Sequence, residues 1–195
     1  HRLECNVVVS KNLPKLRTSP LLHPRVPERI EFVSPRRRRP PVLEPLICAQ
    51  SKRRLHLVLH DFEPGWDTYV ERPGYSLESQ ITFEEVDPAE YTAILLIGGR
   101  APEYLRHNET LIRLVKQFHQ ADKWLFAICH GIQVLIAADV VTGRCVTCYE
   151  HIRYEVKLAG GTYDTREAVR DGLLITAQTW QSHPDFYREI FRCLG

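Results

Sequence analysis

The sequence predicts an α/β protein built on a mainly parallel sheet with helices on both faces. Two observations carry that expectation. From Leu55 onward, short apolar runs of strand length alternate with amphipathic segments of helical period, the pattern of βαβ units. Two of the runs, 93–97 and 124–128, are continuous rather than alternating, as in strands covered on both faces. With 195 residues, 44% hydrophobic and 26% charged, the chain is sized for one globular domain with a substantial core.

Taken in order, residues 1–54 stand apart. They hold Pro14, Pro20, Pro24, Pro27, Pro35, Pro40, Pro41 and Pro45, and the run Arg36-Arg37-Arg38-Arg39. Proline at this density fixes φ and removes backbone donors, which disfavours helix interiors and central strands. Val7-Val8-Val9 fits an edge strand and Ile30-Glu31-Phe32-Val33 fits another. The rest reads as a linker or arm. The PRRRRPP segment has the composition of a basic targeting or nucleic-acid patch, but four arginines read more simply as a solvated loop.

Residues 55–59 (LHLVL) and 79–83 (SQITF) predict strands. Residues 93–97 (AILLI), stopped by Gly98-Gly99, predict a strand buried on both faces. A helix over 109–120 gathers Leu111, Ile112, Leu114, Val115 and Phe118 on one face. A short strand over 124–128 leads into a helix from about 130 to 138. Strands are expected over 145–149 and 173–176. An amphipathic helix over 184–194 closes the chain, with Ser182 or His183 near its start.

Bulk properties exclude several classes. A net charge of +2 is too small to make nucleic acid a general partner. No apolar stretch approaches the roughly 20 residues needed to span a bilayer, so no membrane partner is expected. The opening HRLECNVVVSKNLPK has no long apolar core or small-residue cleavage site of a secretory signal. Six cysteines without an export signal read as reduced thiols in a cytoplasmic protein. The chain contains no Met and opens on His1, which fits a processed or incomplete product.

Chemistry in open α/β sheets gathers at the carboxyl ends of strands. Gly98-Gly99 and Cys129-His130 both fall at such ends. The stretch Ala127-Ile128-Cys129-His130-Gly131 has the small residues, preceding strand and following helix of a nucleophile elbow. A cysteine there meets the positive end of a helix dipole, which favours thiolate. The His130 N–H and a free N–H at Gly98-Gly99 would form an oxyanion hole. Against this stands a plainer reading, in which Cys129 is a small buried apolar residue.

Beyond the elbow, IGGRAPEYLR at 97–106, AICHGIQVLIAADVVTGR at 127–144 and KLAGGTY at 157–163 resemble the PfpI/ThiJ family of class I glutamine-amidotransferase-like proteins. The stretch at 60–91 is similar to the long-insert branch of that family. The resemblance spans about 52–195 and leaves 1–51 as an unmatched, atypical N-terminal segment. It implies a flavodoxin-like three-layer α/β/α sandwich, with the first βαβ unit degenerate or missing. It implies a reactive Cys129, His130 as acid/base partner, Glu103 supplied from a neighbouring subunit, and Gly99 and His130 as the oxyanion-hole positions. A homo-oligomer follows from the role of Glu103. The family's first-strand glutamate has no visible counterpart, since Glu28 and Glu31 sit in no matching context, and Ile97 and Ile132 stand where prolines are usual.

Other clusters carry less. Cys145-Val-Thr-Cys148 with His151 has a spacing seen in zinc and redox pairs. In a strand, however, positions three apart face opposite sides, and there is no second CxxC. His56 and His60 share a strand face but stand too far apart to chelate one ion. His60-Asp61-Phe62-Glu63, with Trp66 and Tyr69, fits either a pocket mouth or oligomer contact, or an anchored loop; His60 and Glu63 are the pocket candidates. His183 fits a cap or a pocket residue.

The expected function is therefore a cofactor-independent, metal-free, cysteine-dependent enzyme acting on small reactive carbonyls, of the glyoxalase or deglycase kind. A cysteine peptidase or amidase with a peptide substrate is the second reading. The third is a non-catalytic redox-sensing or chaperone-like protein, inactive for want of the glutamate, and the fourth is a degenerate product.

Overall fold

The computed structural model describes residues 7–12, 43–61, 64–65 and 69–194. Residues 30–33, the arginine run, Phe62, Glu63 and Trp66 lie outside them. The strands are β1 (Val7–Asn12), β2 (Leu43–Ala49), β3 (Arg54–Asp61), β4 (Val70–Glu78), β5 (Ile81–Thr82), β6 (Ala93–Leu96), β7 (Trp124–Ile128), β8 (Cys145–Val146), β9 (Thr162–Tyr163), β10 (Ala168–Asp171) and β11 (Leu174–Ala177). The helices are α1 (Pro102–Leu105), α2 (Glu109–Gln120), α3 (Ile132–Ala137), α4 (Arg153–Leu158) and α5 (His183–Leu194).

The main sheet has seven strands in the order β10-β11-β7-β6-β1-β2-β5. Strands β6, β7 and β11 run parallel, as do β2 and β5, while β1 and β10 oppose their neighbours. Alternation along β7 shows how the layers form. Leu125 and Ala127 enter one core with Leu111, Val115 and Phe118 of α2 and Leu135 of α3. Phe126 and Ile128 enter the other with Phe186 and Ile190 of α5. Side chains of a strand leave opposite faces in turn, so an uninterrupted apolar run is covered on both faces. This is the expected flavodoxin-like sandwich.

Local chemistry explains the best-defined helix. Asn108 caps α2 by accepting from the Leu111 N–H at 2.9 Å. The buried stripe Leu111, Leu114, Val115 and Phe118 fixes its orientation. Asp122 then turns the chain at φ +50°, a conformation Asp tolerates, and β7 follows.

The structure departs from the sequence expectations in several places, the strand expected over 79–83 shrinking to β5 before a 3-10 turn at Phe83. Val7-Val8-Val9 is not an edge strand: β1 sits inside the sheet, paired antiparallel with both β6 and β2. β1 there covers an edge of β6 that would otherwise expose unpaired backbone groups, and Val9 is buried. Residues 43–49, within the proline-rich stretch, form β2; at Pro45 that strand pairs with β1 alone, an arrangement that tolerates proline. Residues 54–61 leave the main sheet and pair only with β4. The strand expected over 145–149 ends at Val146, and β8 pairs with β9 in a separate ribbon.

One close approach positions the site. The turn after β7 lies against the end of β6, so that a Cβ on Gly131 would stand 2.3 Å from the Leu96 carbonyl oxygen. No side chain can fill that gap, and the obstacle is backbone. Gly131→Ala is therefore expected to destabilise the protein by about 1–3 kcal/mol or more, read as a lower denaturant midpoint. A variant as stable as the parent would contradict this packing.

Candidate active site

Cys129 begins a single 3-10 turn, Cys129–Gly131, between β7 and α3. Its φ is +59°. Among the described residues, the other non-glycine residues with positive φ are Asp122 and Asp139, whose short polar side chains tolerate the left-handed region. Cysteine has no such excuse, and strain of this kind concentrates at functional sites. The turn thus has the sharp strand-to-helix geometry expected from its sequence.

A second strand end closes on it. A Cβ on Gly98 would lie 2.6 Å from the Cys129 Cβ and 3.2 Å from its sulfur. Gly99 follows at φ +80°, open to glycine at no steric cost. The backbone N–H groups of His130 and Gly99 both lie where they favour negative charge on the Cys129 sulfur. These are the two donors expected of an oxyanion hole, and they converge on the atom that would carry a reacting substrate.

The imidazole stands beside the thiol. His130 Nδ1 lies 3.3 Å from Cys129 Sγ, within reach for proton transfer at a sulfur. The His130 ring packs on Tyr149, with centroids 5.2 Å apart, and Tyr149 meets His151 edge-on at 5.0 Å. Burial pushes the Tyr149 phenol above its ordinary range, and negative charge on Cys129 pushes it further. Tyr149 thus belongs to the site although its sequence context, in a segment read as a strand, gave no signal for it.

Burial also governs the thiol itself. It pushes the Cys129 thiol up, while the N–H groups of His130 and Gly99 pull the other way. The thiolate expected at a helix start is thus outweighed: α3 begins only at Ile132, and the half-buried sulfur loses hydration.

The structure brings Cys129, His130 and Gly99 together. Glu103 lies half-buried on α1, and among the described residues its carboxylate takes no hydrogen bond or ion pair. α1 is tied to the elbow helix through Glu155 on α4, which accepts from Arg106 Nη1 at 3.1 Å and from Gln133 Nε2 on α3 at 3.1 Å. His183 opens α5, and its ring lies against Tyr187 at 5.5 Å rather than against the elbow. His60 falls in β3, and Glu63 lies outside the described residues. Among the described residues no cluster of three His, Cys, Asp or Glu side chains could hold a metal ion, and no helix is long and apolar enough to cross a membrane. A cavity of about 190 Å³ lies at the opposite end of the sheet. Its cations are engaged: Lys123 donates to the Tyr91 carbonyl at 2.6 Å and Arg144 pairs with Asp171 at 3.2 Å.

The model of the DJ-1/PfpI family matches residues 47–193. Protein DJ-1 homolog D of Arabidopsis thaliana is 37% identical over 155 residues, covering 76% of this chain and 40% of the relative. Deglycase PfpI of Pyrococcus furiosus is 41% identical over 137 residues, covering 68% of this chain and 79% of the relative. A two-domain protein with DJ-1/ThiJ/PfpI-like and ferritin-like domains from Anabaena variabilis superposes with a TM-score of 0.59 at 32% identity, over 62% of this chain and 35% of that one. The chain thus spans less than half the length of the Arabidopsis and Anabaena proteins.

A thiol held up by burial is mostly protonated at neutral pH and gains thiolate as pH rises toward its raised pKa. Alkylation of Cys129 by iodoacetamide, followed on its own peptide, is expected to climb about tenfold per pH unit to at least about pH 9. A plateau below about pH 8 would contradict the dominance of burial.

Proposed function

The chain belongs to the DJ-1/PfpI family, and from that premise we propose that it is a cofactor-independent, cysteine-dependent enzyme acting on small reactive carbonyls, of the glyoxalase or deglycase kind. One observation carries the reading: a half-buried cysteine is held at φ +59° with an imidazole nitrogen 3.3 Å from its sulfur, beside the Gly99 and His130 N–H groups that favour negative charge there. An acceptor that develops negative charge on oxygen next to that sulfur is what such a pair stabilises.

The steps follow from the distances. His130 Nδ1, 3.3 Å from Sγ, accepts the thiol proton when its ring hydrogen sits on Nε2. The sulfur adds to the aldehyde carbon of a compound such as methylglyoxal, and the former carbonyl oxygen takes the negative charge between the two N–H groups. Return of the proton from His130 completes a hemithioacetal. Moving its carbon-bound proton to the neighbouring carbonyl carbon gives a thioester, and water then releases lactate and restores the thiol. His130 and Glu103 are the proton carriers in this scheme.

Glu103 reaches that role from a second copy of the chain. Its carboxylate is unengaged among the described residues, and exposed Tyr104 beside it on α1 continues into exposed Tyr154 and Leu158 on α4. The Arg106–Glu155 pair joins the two helices into one surface. Contact through that face would carry Glu103 toward the partner's thiol, so a homo-oligomer is the working form. A cytoplasmic setting fits the five described cysteines, none of which is in a disulfide.

Lactate formation from methylglyoxal tests the reading. Cys129→Ala should lower the rate by about three orders of magnitude or more, with the oligomer seen on gel filtration unchanged. Equal rates for the parent and Cys129→Ala would overturn it.

A further inference from the structure

Cys148 takes no part in the carbonyl chemistry, yet the fold sets it beside the elbow. It is 0% exposed, and its thiol donates to the Tyr149 carbonyl at 3.3 Å. Two separate ties hold its segment there. The Thr147 N–H donates to Thr176 Oγ1 at 2.9 Å, and Thr176 pairs across the sheet with Ala127, two residues before Cys129. On the other side, the Tyr149 ring lies on the His130 ring, 5.2 Å between centroids. Residues 147–149 therefore run from β11 to the His130 ring, beside the end of β7. The two thiols differ in access, since Cys129 is only partly buried and Cys148 is sealed in the core.

We propose that Cys148 is the resolving thiol of Cys129: a hydroperoxide oxidises Cys129 to the sulfenic acid, and Cys148 closes a Cys129–Cys148 disulfide with loss of water. The inference rests on the reading of Cys129 as the reactive thiol and concerns the same site. In the first step the Cys129 sulfur takes the distal peroxide oxygen, the O–O bond breaks, and the alcohol or water leaves. The sulfur loses two electrons and the peroxide gains them. In the second step the Cys148 sulfur attacks the sulfenyl sulfur and the S–O bond breaks. The departing hydroxide leaves as water with the Cys148 proton. A sulfenic acid either meets a thiol or proceeds to the irreversible sulfinic acid, so a sealed thiol alongside protects the reactive one. Burial first, and then charge on Cys129, holds the Cys148 thiol up to about 12. It therefore stays protonated and does not compete for peroxide. Cys145 is the rival three residues earlier, but its thiol faces Asp164 at 3.8 Å.

The fully reduced chain treated with a small molar excess of hydrogen peroxide, then digested with trypsin without reduction, decides the matter. Cleavage after Lys123, Arg144 and Arg153 puts the two cysteines in separate peptides, 124–144 and 145–153. The expected product is those peptides joined, with fragmentation assigning the bond to Cys129 and Cys148. Cys145→Ser should keep the crosslink. Cys148→Ser and Cys148→Ala should lose it and accumulate Cys129 sulfinic acid instead, and a dithiol should restore free Cys129 in the parent and in Cys145→Ser but not in the Cys148 variants. Sulfinic acid at Cys129 of the parent without a crosslink would overturn the resolving role while leaving Cys129 reactive. No change at Cys129 in any variant would overturn both.

Discussion

The site depends on how closely the end of β6 approaches the turn after β7. Gly131 presses its backbone against the Leu96 carbonyl, and Gly98 leaves room for the Cys129 side chain. Any Cβ at either position would force the two strand ends apart. Held together, they aim the N–H groups of Gly99 and His130 at one sulfur. Cys129 occupies the left-handed region to make the turn, at a strain of about 1–3 kcal/mol that the surrounding sheet supports. The parallel pairing of β6, β7 and β11 supplies that support, because it fixes where each strand ends.

The same closeness sets the chemical character of the thiol. Packing between two strand ends removes water from the sulfur and disfavours its charge. The two N–H donors oppose this without outweighing it. They are better matched to an oxyanion formed on a bound carbonyl than to a resting thiolate, since that charge appears only during reaction. In the proposed chemistry His130, 3.3 Å from the sulfur, relays the proton once substrate arrives.

Sequence periodicity made the central layers legible. The helix expected over 109–120 is α2, and the runs at 93–97 and 124–128 are β6 and β7, because strong apolar stripes leave one way to bury them. The closing helix begins one residue earlier than expected. Cys129, His130 and Gly99 were readable for a local reason: a strand-end turn with small residues is written in consecutive positions. Tyr149 and Cys148 were not, since they arrive through a loop folded back over β7 and β11. The prolines around β2 hid a strand that survives through its pairing with β1. The β3–β4 hairpin carries a strand pattern, and pattern alone does not say which sheet a strand joins. The inner position of β1 was hidden for the same reason, since pairing on both edges is a property of the neighbours.

A direct view of the first covalent step would test the central claim, that this elbow is a reaction centre built to hold an oxyanion. A crystal structure of the chain reacted with methylglyoxal is the measurement. The expected product is a hemithioacetal on Cys129 Sγ whose oxygen lies within about 3 Å of both the Gly99 and His130 nitrogens. An adduct on another cysteine, or one on Cys129 whose oxygen points away from both N–H groups, would contradict it.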